Sequence, residues 1–308
     1  MKKIIVIAGP TASGKTAFAI RLAQKTSGEI VSADSMQIYQ GMDIASAKPT
    51  QTEQQAAPHH MIDIVSPFAP FSVADYVKQA KDVIDGVLSR GNVPIVAGGT
   101  GLYISSLVDN ITFAEEETDP KVRENLFKEA EEKGITPLYE RLLAIDPKAC
   151  EKIHPNNTKR VIRALEIYET TGLTLSEQNE RSRQNPSPYT PFMIALAPPR
   201  EVLYDRINKR VDSMAEAGMF DESKRLLKAG LTKDMQSMQG IGYKEVFDYL
   251  EGRVSKETCL EEIKQATRRY AKRQLTWFRR DARYHWVDTT DEIAVQNMIE
   301  EALAFCRL

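Results

Sequence analysis

Cysteine is scarce in this chain: Cys150, Cys259 and Cys306 are odd in number, far apart and without CxxC spacing. That excludes a disulfide framework and a zinc site, and it suits reduced thiols in the cytoplasm. Long apolar runs are also missing. After Met1-Lys2-Lys3 only Ile4 to Ala8 is apolar before a glycine-rich stretch, too short for a signal-peptide core or a membrane span. A soluble cytoplasmic protein without a membrane partner is therefore expected. Nor does one charge dominate. The formal net charge of -2 excludes a globally basic nucleic-acid binder and confines any such partner to a local patch. No internal repeat or low-complexity tract interrupts the 308 residues, and 42% hydrophobic content suffices for a sizeable core carrying one inserted domain.

What is present begins at Gly9-Pro10-Thr11-Ala12-Ser13-Gly14-Lys15-Thr16, a complete phosphate-binding loop between an apolar run and the helix-forming stretch Ala17 to Lys25. Backbone N–H groups of such a loop wrap a phosphate oxygen, Lys15 adds a point charge, and the Thr16 hydroxyl can ligate a magnesium ion. The helix opening at Lys15 turns its positive dipole end toward the same place. This fixes a phosphorylated ligand and leaves the reaction open.

Short apolar runs at Ile4 to Ala8, Ile30 to Ser32, Met61 to Val65 and Val93 to Ala97 alternate with helical patterns such as Val73 to Leu88. That alternation predicts an α/β fold, a parallel sheet flanked by helices in the manner of P-loop nucleotide hydrolases. From Asp119 to about Glu180 the chain is charged and helical in period, with Pro120, Pro137, Pro147 and Pro155 near helix starts. The stretch Gln184 to Pro191 reads as a linker, and Phe192 to Ala197 as a further buried strand. Residues 113–190 are thus expected to form an all-helical insertion, and 1–112 with 191–308 the catalytic core. Helices are expected over Val202 to Glu216, Tyr243 to Glu251, Lys256 to Arg279 and from Asp291, with a short strand at Tyr284 to Val287.

Asp34 follows the second strand run, beside the phosphate loop and at the carboxyl edge where open parallel sheets bind ligands. A carboxylate there serves equally as a metal ligand through water, as a general base, or as a turn cap. The fourth run ends in Gly98-Gly99-Thr100-Gly101, where many nucleotide hydrolases carry a strand-terminal aspartate. Its absence weighs against an ATPase. The three glycines leave room for a ligand to approach the backbone, with the Thr100 hydroxyl in the crevice. Along Lys264 to Arg283, Arg269, Arg273, Trp277 and Arg280 share a helix face that suits nucleic-acid phosphates and stacked bases, and Lys159, Arg160 and Arg163 form a second small patch. Either patch is equally readable as a solvated helix face. Arg206 and Arg210, one helical turn apart, suit an anionic ligand or surface ion pairs. His59 and His60 lack a partner at metal-ligand spacing, so capping or hydrogen bonding is expected of them.

The blocks Gly9 to Thr16, Ser32-Ala-Asp-Ser-Met-Gln-Ile-Tyr39, Pro58-His-His60, Gly98-Gly-Thr-Gly-Leu-Tyr103, Arg163-Ala-Leu-Glu166, Gly240-Ile-Gly-Tyr-Lys-Glu245 and Thr267 to Gln274, in this order, resemble the bacterial tRNA dimethylallyltransferase family over nearly the whole chain. The resemblance implies transfer of a dimethylallyl group from dimethylallyl diphosphate to the exocyclic 6-amino group of the adenosine 3′ of the anticodon in tRNA. Diphosphate, not ATP, then occupies Gly9, Pro10, Thr11, Ala12, Ser13, Gly14, Lys15 and Thr16. By the same resemblance Asp34 accepts the proton, Lys15, Arg210 and a magnesium ion on Thr16 stabilise the leaving group, and Thr100 bridges to Asp34 near the amine. Contacts to the tRNA anticodon stem-loop are implied for Asp34, Ser35, Met36, Gln37, Thr100, Arg123, Lys159, Arg160, Val161, Ile162 and Arg163, in a monomeric enzyme. A prenyltransferase acting on free AMP, a small-molecule kinase and a non-catalytic RNA-binding module are the rival readings.

Overall fold

The computed structural model describes residues 1–113 and 120–307 and divides the chain into two compact units, Met1–Val108 with Pro188–Leu308, and Asp109–Ser187. These boundaries fall a few residues before the expected 113 and 190. Asp119, where the helical pattern was expected to begin, lies outside the described residues.

In the larger unit, β1 (Lys2–Ala8), β2 (Gly28–Ser32), β3 (His59–His60), β4 (Val93–Gly98), β5 (Tyr189–Leu196) and β6 (Tyr284–Val287) form one sheet in the order β3-β2-β4-β1-β5-β6. Every neighbouring pair is parallel, with Ile5 opposite Ile95 on one side and Phe192 on the other. Ile4, Ile5, Val6 and Ile7 are all fully buried although alternate residues point to opposite faces, so the sheet is covered on both. That is why the strands read as unbroken apolar runs. One core joins Ile5, Ile7, Ile95 and Ile194 to Phe18 and Leu22 of α1 (Lys15–Thr26) and to Val295 and Ile299, which lie on the chain's last helix. The unit also contains α2 (Gln51–Ala56), α3 (Val73–Ser89) and α4 (Gly101–Val108), with Tyr76 of α3 stacked on Tyr103 of α4 at 4.1 Å between ring centroids.

The smaller unit holds α5 (Pro120–Lys133), α6 (Thr136–Ile145), α7 (Pro147–Cys150), α8 (Thr158–Thr171) and α9 (Leu175–Arg181) around Leu126, Leu138, Leu142, Val161, Ile162 and Leu165. Buried Asp146 ties two of them: it caps α7 through the Ala149 N–H at 3.0 Å and accepts from the Ser176 hydroxyl at 2.6 Å. The chain then returns to the sheet unit through β5, which starts at Tyr189, inside the stretch expected to be linker. It continues as α10 (Arg200–Glu216), α11 (Met219–Lys228), a 3-10 turn at Gln236–Gln239, α12 (Tyr243–Leu250), α13 (Lys256–Phe278) and α14 (Glu292–Arg307). No helix among the described residues is long and apolar enough to cross a membrane.

The run Met61 to Val65 is not the third strand. Met61 and Asp63 adopt left-handed backbone conformations, φ 62° and 55°, which interrupt an extended chain. The pairing with β2 is made instead by His59 and His60, and Val65 keeps only an isolated bridge to Tyr39. Both histidines are hydrogen-bonded: His59 Nδ1 lies 2.8 Å from the Ala57 carbonyl and His60 Nε2 2.6 Å from Glu29. Buried Glu29 also receives Arg90 on both oxygens, at 3.0 and 2.7 Å, and Asn92 at 2.7 Å. Arg90 chiefly, with Asn92 and His60, holds the Glu29 carboxyl down at about 2 against an ordinary 4.5. A depressed carboxyl stabilises the fold above its unfolded value and loses that contribution as pH falls through its folded value. Glu29→Gln is expected to cost about 2 kcal/mol in urea denaturation at neutral pH, because an amide nitrogen then faces donors. The wild-type advantage should shrink between pH 4.5 and about 2.

Candidate active site

β1 delivers the chain to the phosphate loop at the carboxyl edge of the sheet, between neighbours β4 and β5, where the strand order reverses. Ala12 and Gly14 take left-handed conformations, φ 62° and 92°, curling the loop before α1 opens at Lys15. Turns of this kind aim successive N–H groups into one concavity. Lys15 Nζ donates to the Pro10 carbonyl at 2.7 Å. The Ser13 hydroxyl is buried and has no hydrogen-bond partner among the described residues. A cavity of about 1310 Å³ opens beside the loop, lined by Thr11, Ala12, Gly14, Lys15 and Thr16 on one side and by Asp34, Ser35, Met36 and Gln37 on another.

Asp34 takes one of the roles its sequence position suggested, the turn cap. Its Oδ1 accepts the Met36 and Gln37 N–H groups at 2.9 and 3.3 Å, capping the turn, while the side chain lines the cavity and is electrostatically coupled to Lys15 and Arg210. Thr100 does not bridge to Asp34. Its hydroxyl accepts the Ser35 N–H at 3.0 Å and donates to the Ser35 hydroxyl at 3.3 Å, and its N–H donates to the Ala33 carbonyl at 3.1 Å. Thr100 therefore fixes the Asp34 turn from behind, one residue away from the carboxylate. The glycines beside it serve packing within the chain. A Cβ on Gly98 would meet the Ala33 carbonyl oxygen at 2.1 Å, one on Gly99 the Gln274 amide at 2.2 Å, and one on Gly101 the Trp277 ring at 2.3 Å.

α13 contributes more than a basic stripe. The Gln274 amide accepts the Thr11 N–H at 2.9 Å and donates to the Gly99 carbonyl at 2.9 Å, joining the loops that follow β1 and β4. Tyr270 lies beside Thr100 and Gln274, and burial, with Asp34 nearby, lifts its phenol to about 12. The Arg273 guanidinium lies over the Tyr270 ring at 5.6 Å, and both line the cavity. The only sequence signal for this arrangement is the Tyr270, Arg273, Gln274, Trp277 spacing on one helical face.

On the helical unit, Arg123 and Arg163 both reach Oε2 of Glu166 at 3.0 Å, and Glu166 itself is buried. Val161 and Ile162, named with the expected tRNA contacts, have their side chains buried in the core of that unit, whereas Lys159, Arg160 and Arg163 are exposed. No group of three or more His, Cys, Asp or Glu side chains among the described residues is spaced to hold a metal ion. Thr16 and Asp34, both at the cavity, are oxygen donors of the kind that fit magnesium, which keeps waters and takes phosphate oxygens.

Burial brings the Lys15 ammonium down to about 8, with Asp34 opposing that shift and Arg210 adding to it. Burial also lowers Arg210, whose Nη1 lies 3.5 Å from the Thr11 hydroxyl. Arg206 lines the same cavity and donates to Thr289 at 3.1 Å. Two desolvated cations beside a ring of N–H groups form an anion site. Lys15 is charged below about 8 and progressively neutral above it, so inorganic diphosphate is expected to bind more weakly as pH rises through 8. Binding above that pH should take up a proton, which calorimetry in buffers of different ionisation heat measures.

The family model for IPP transferase matches residues 37–281, and the one for isopentenyl transferase matches residues 2–64. The tRNA dimethylallyltransferase of Acetivibrio thermocellus is 49% identical over 302 residues, covering 97% of this chain and 96% of its own length. That of Halalkalibacterium halodurans is 48% identical, covering 94% and 92%. Among solved structures, the full-length tRNA isopentenylpyrophosphate transferase of Bacillus halodurans superposes with a TM-score of 0.75 at 42% identity, over 100% of this chain and 97% of that one. A eukaryotic dimethylallyltransferase acting on tRNA gives 0.77 at 33% identity, over 90% and 70%. With the phosphate loop, the Asp34 turn and the α13 clamp lying within the matched residues, the chain belongs to the IPP transferase family.

Proposed function

We infer that this protein is a tRNA dimethylallyltransferase, transferring the dimethylallyl group of dimethylallyl diphosphate to the exocyclic 6-amino group of the adenosine 3′ of the anticodon. The observation that carries the reading is the convergence of Lys15, Arg210 and Asp34 on one cavity, an anion site facing a carboxylate. Relatives that carry out this chemistry match almost the whole chain.

In this reading the diphosphate lies in the loop Gly9 to Thr16 and the adenine is unstacked from the anticodon loop into the cavity, at a cost of a few kcal/mol. The amine nitrogen forms a bond to C1 of the dimethylallyl group while the C1–O bond breaks, and the diphosphate leaves with the electron pair. The amine proton passes to Asp34, whose Oδ1 is occupied by backbone N–H groups, so Oδ2 is the accepting atom. Lys15 and Arg210 receive the charge that develops on the departing diphosphate. Thr16 would hold a magnesium ion, which would supply further neutralisation of the departing diphosphate. Arg123, Lys159, Arg160 and Arg163 contact RNA phosphates and fix register, and Ser35 to Gln37 meet the nucleotide next to the cavity. The free thiols suit a cytoplasmic enzyme.

Incubation with magnesium, dimethylallyl diphosphate and either an anticodon stem-loop or AMP, followed by mass spectrometry, is expected to add one five-carbon unit to the stem-loop alone. Transfer to AMP alone would move the enzyme to free nucleotides. Asp34→Asn keeps the Oδ1 cap and removes the base, so kcat is expected to fall by about 10²-fold or more while stem-loop affinity holds. Near-normal turnover of that variant would sink the base assignment.

A further inference from the structure

The cavity lining includes the segment 43–48, and Ile44 and Ala45 pack with Met214 and Ile241 against the core around Val211 and Met219, an apolar stretch that also lines the cavity. Three successive N–H groups in this segment turn away from the cavity onto a single side chain. Glu222, in the first turn of α11, accepts Asp43 N–H at 2.9 Å, Ile44 N–H at 2.9 Å and Ala45 N–H at 3.3 Å, and the Tyr243 hydroxyl at 2.9 Å. It is 1% exposed. A carboxylate is buried only where its charge is met by donors, and three backbone N–H groups facing inward need an acceptor, so each makes the other tolerable. The arrangement is an anion-binding nest filled by the protein's own side chain. Lys48, 4% exposed at its side chain, closes the far end of the segment onto Asp43, Asp63 and the Tyr39 carbonyl. The segment is also packed from outside: a Cβ on Gly242 would sit 3.1 Å from the Ala45 Cβ.

We propose that Glu222 is a positioning residue for the prenyl group, acting through the backbone of residues 43–45 to hold the apolar wall against the hydrocarbon end of the substrate. This rests on the prenyl-transfer reading. The diphosphate end is held by Lys15, Arg210 and the phosphate loop, none of which Glu222 touches among its hydrogen bonds. Glu222 therefore governs affinity for the prenyl half of the donor and leaves affinity for the diphosphate half alone.

The test is the stem-loop assay with Glu222→Gln, whose amide nitrogen would face backbone donors, reading the KM for dimethylallyl diphosphate beside the inhibition constant of inorganic diphosphate. The expected result is a KM raised about tenfold, with kcat within about threefold and the diphosphate inhibition constant within about twofold. General loosening of the fold would move both constants together. Normal transfer by wild type beside a variant whose two constants stay put, or rise in step, overturns the proposal alone. A wild type that transfers nothing overturns the prenyl-transfer reading and this proposal with it. If Glu222→Gln does not fold, Tyr243→Phe removes one bond to Oε1 and keeps the ring; about threefold of the same split is expected, and its absence overturns the proposal.

Discussion

A single buried amide sets the distance between the two loops on which the site is built. Gln274 reaches from α13 to the Thr11 N–H and the Gly99 carbonyl, so the loops after β1 and β4 are spaced by one side chain and not by the sheet alone. Each hydrogen bond contributes about 1 kcal/mol net, but leaving either buried partner unmet costs about 1–3 kcal/mol. The larger number explains why the contacts around it are so close. Gly99 has no Cβ because the amide already occupies that space, and Tyr270 and Thr100 complete the same network. Through Thr100 and Ser35 the network ends at the Asp34 turn. A helix near the end of the chain thereby positions groups near its beginning.

The electrostatics of the cavity follow from what is buried in it. Lys15 and Arg210 are both disfavoured as cations by desolvation, and Asp34 compensates each only in part. An anionic ligand relieves that cost, so the free site holds an unmet demand for negative charge. Burial, with Asp34 second, lifts the Tyr270 phenol. Burial is the main cause at all three groups, and Asp34 opposes it at the two cations and adds to it at the phenol while its Oδ1 is committed to the backbone.

The phosphate loop, the β1, β2, β4 and β5 runs and the placement of Asp34 were legible because each is local: strand, turn and helix signals adjoin in sequence. The failures are informative in the same terms. Met61 to Val65 has strand composition, but two of its residues turn left-handed, a backbone choice that composition does not encode. α11 escaped notice because Gly218, at φ 101°, breaks the helical period just before it. Glu222 reads as an ordinary helix-surface glutamate until it is seen to cap a segment 179 residues earlier. Val161 and Ile162 came with a block whose residues were taken together, although a helix turn must point some of them inward. The three glycines around Thr100 signal close approach; Ala33, Gln274 and Trp277 fill the Cβ positions, while Gly98 and Gly99 also line the cavity.

Glu166 sits between Arg123 and Arg163, accepting both on one oxygen. An RNA phosphate that approaches either guanidinium finds it already neutralised and must share it or draw it away. Each such contact then exchanges one ion pair for another, which yields far less free energy than meeting a bare cation. The carboxylate thus acts as a governor, limiting how much any anion gains from these two guanidiniums.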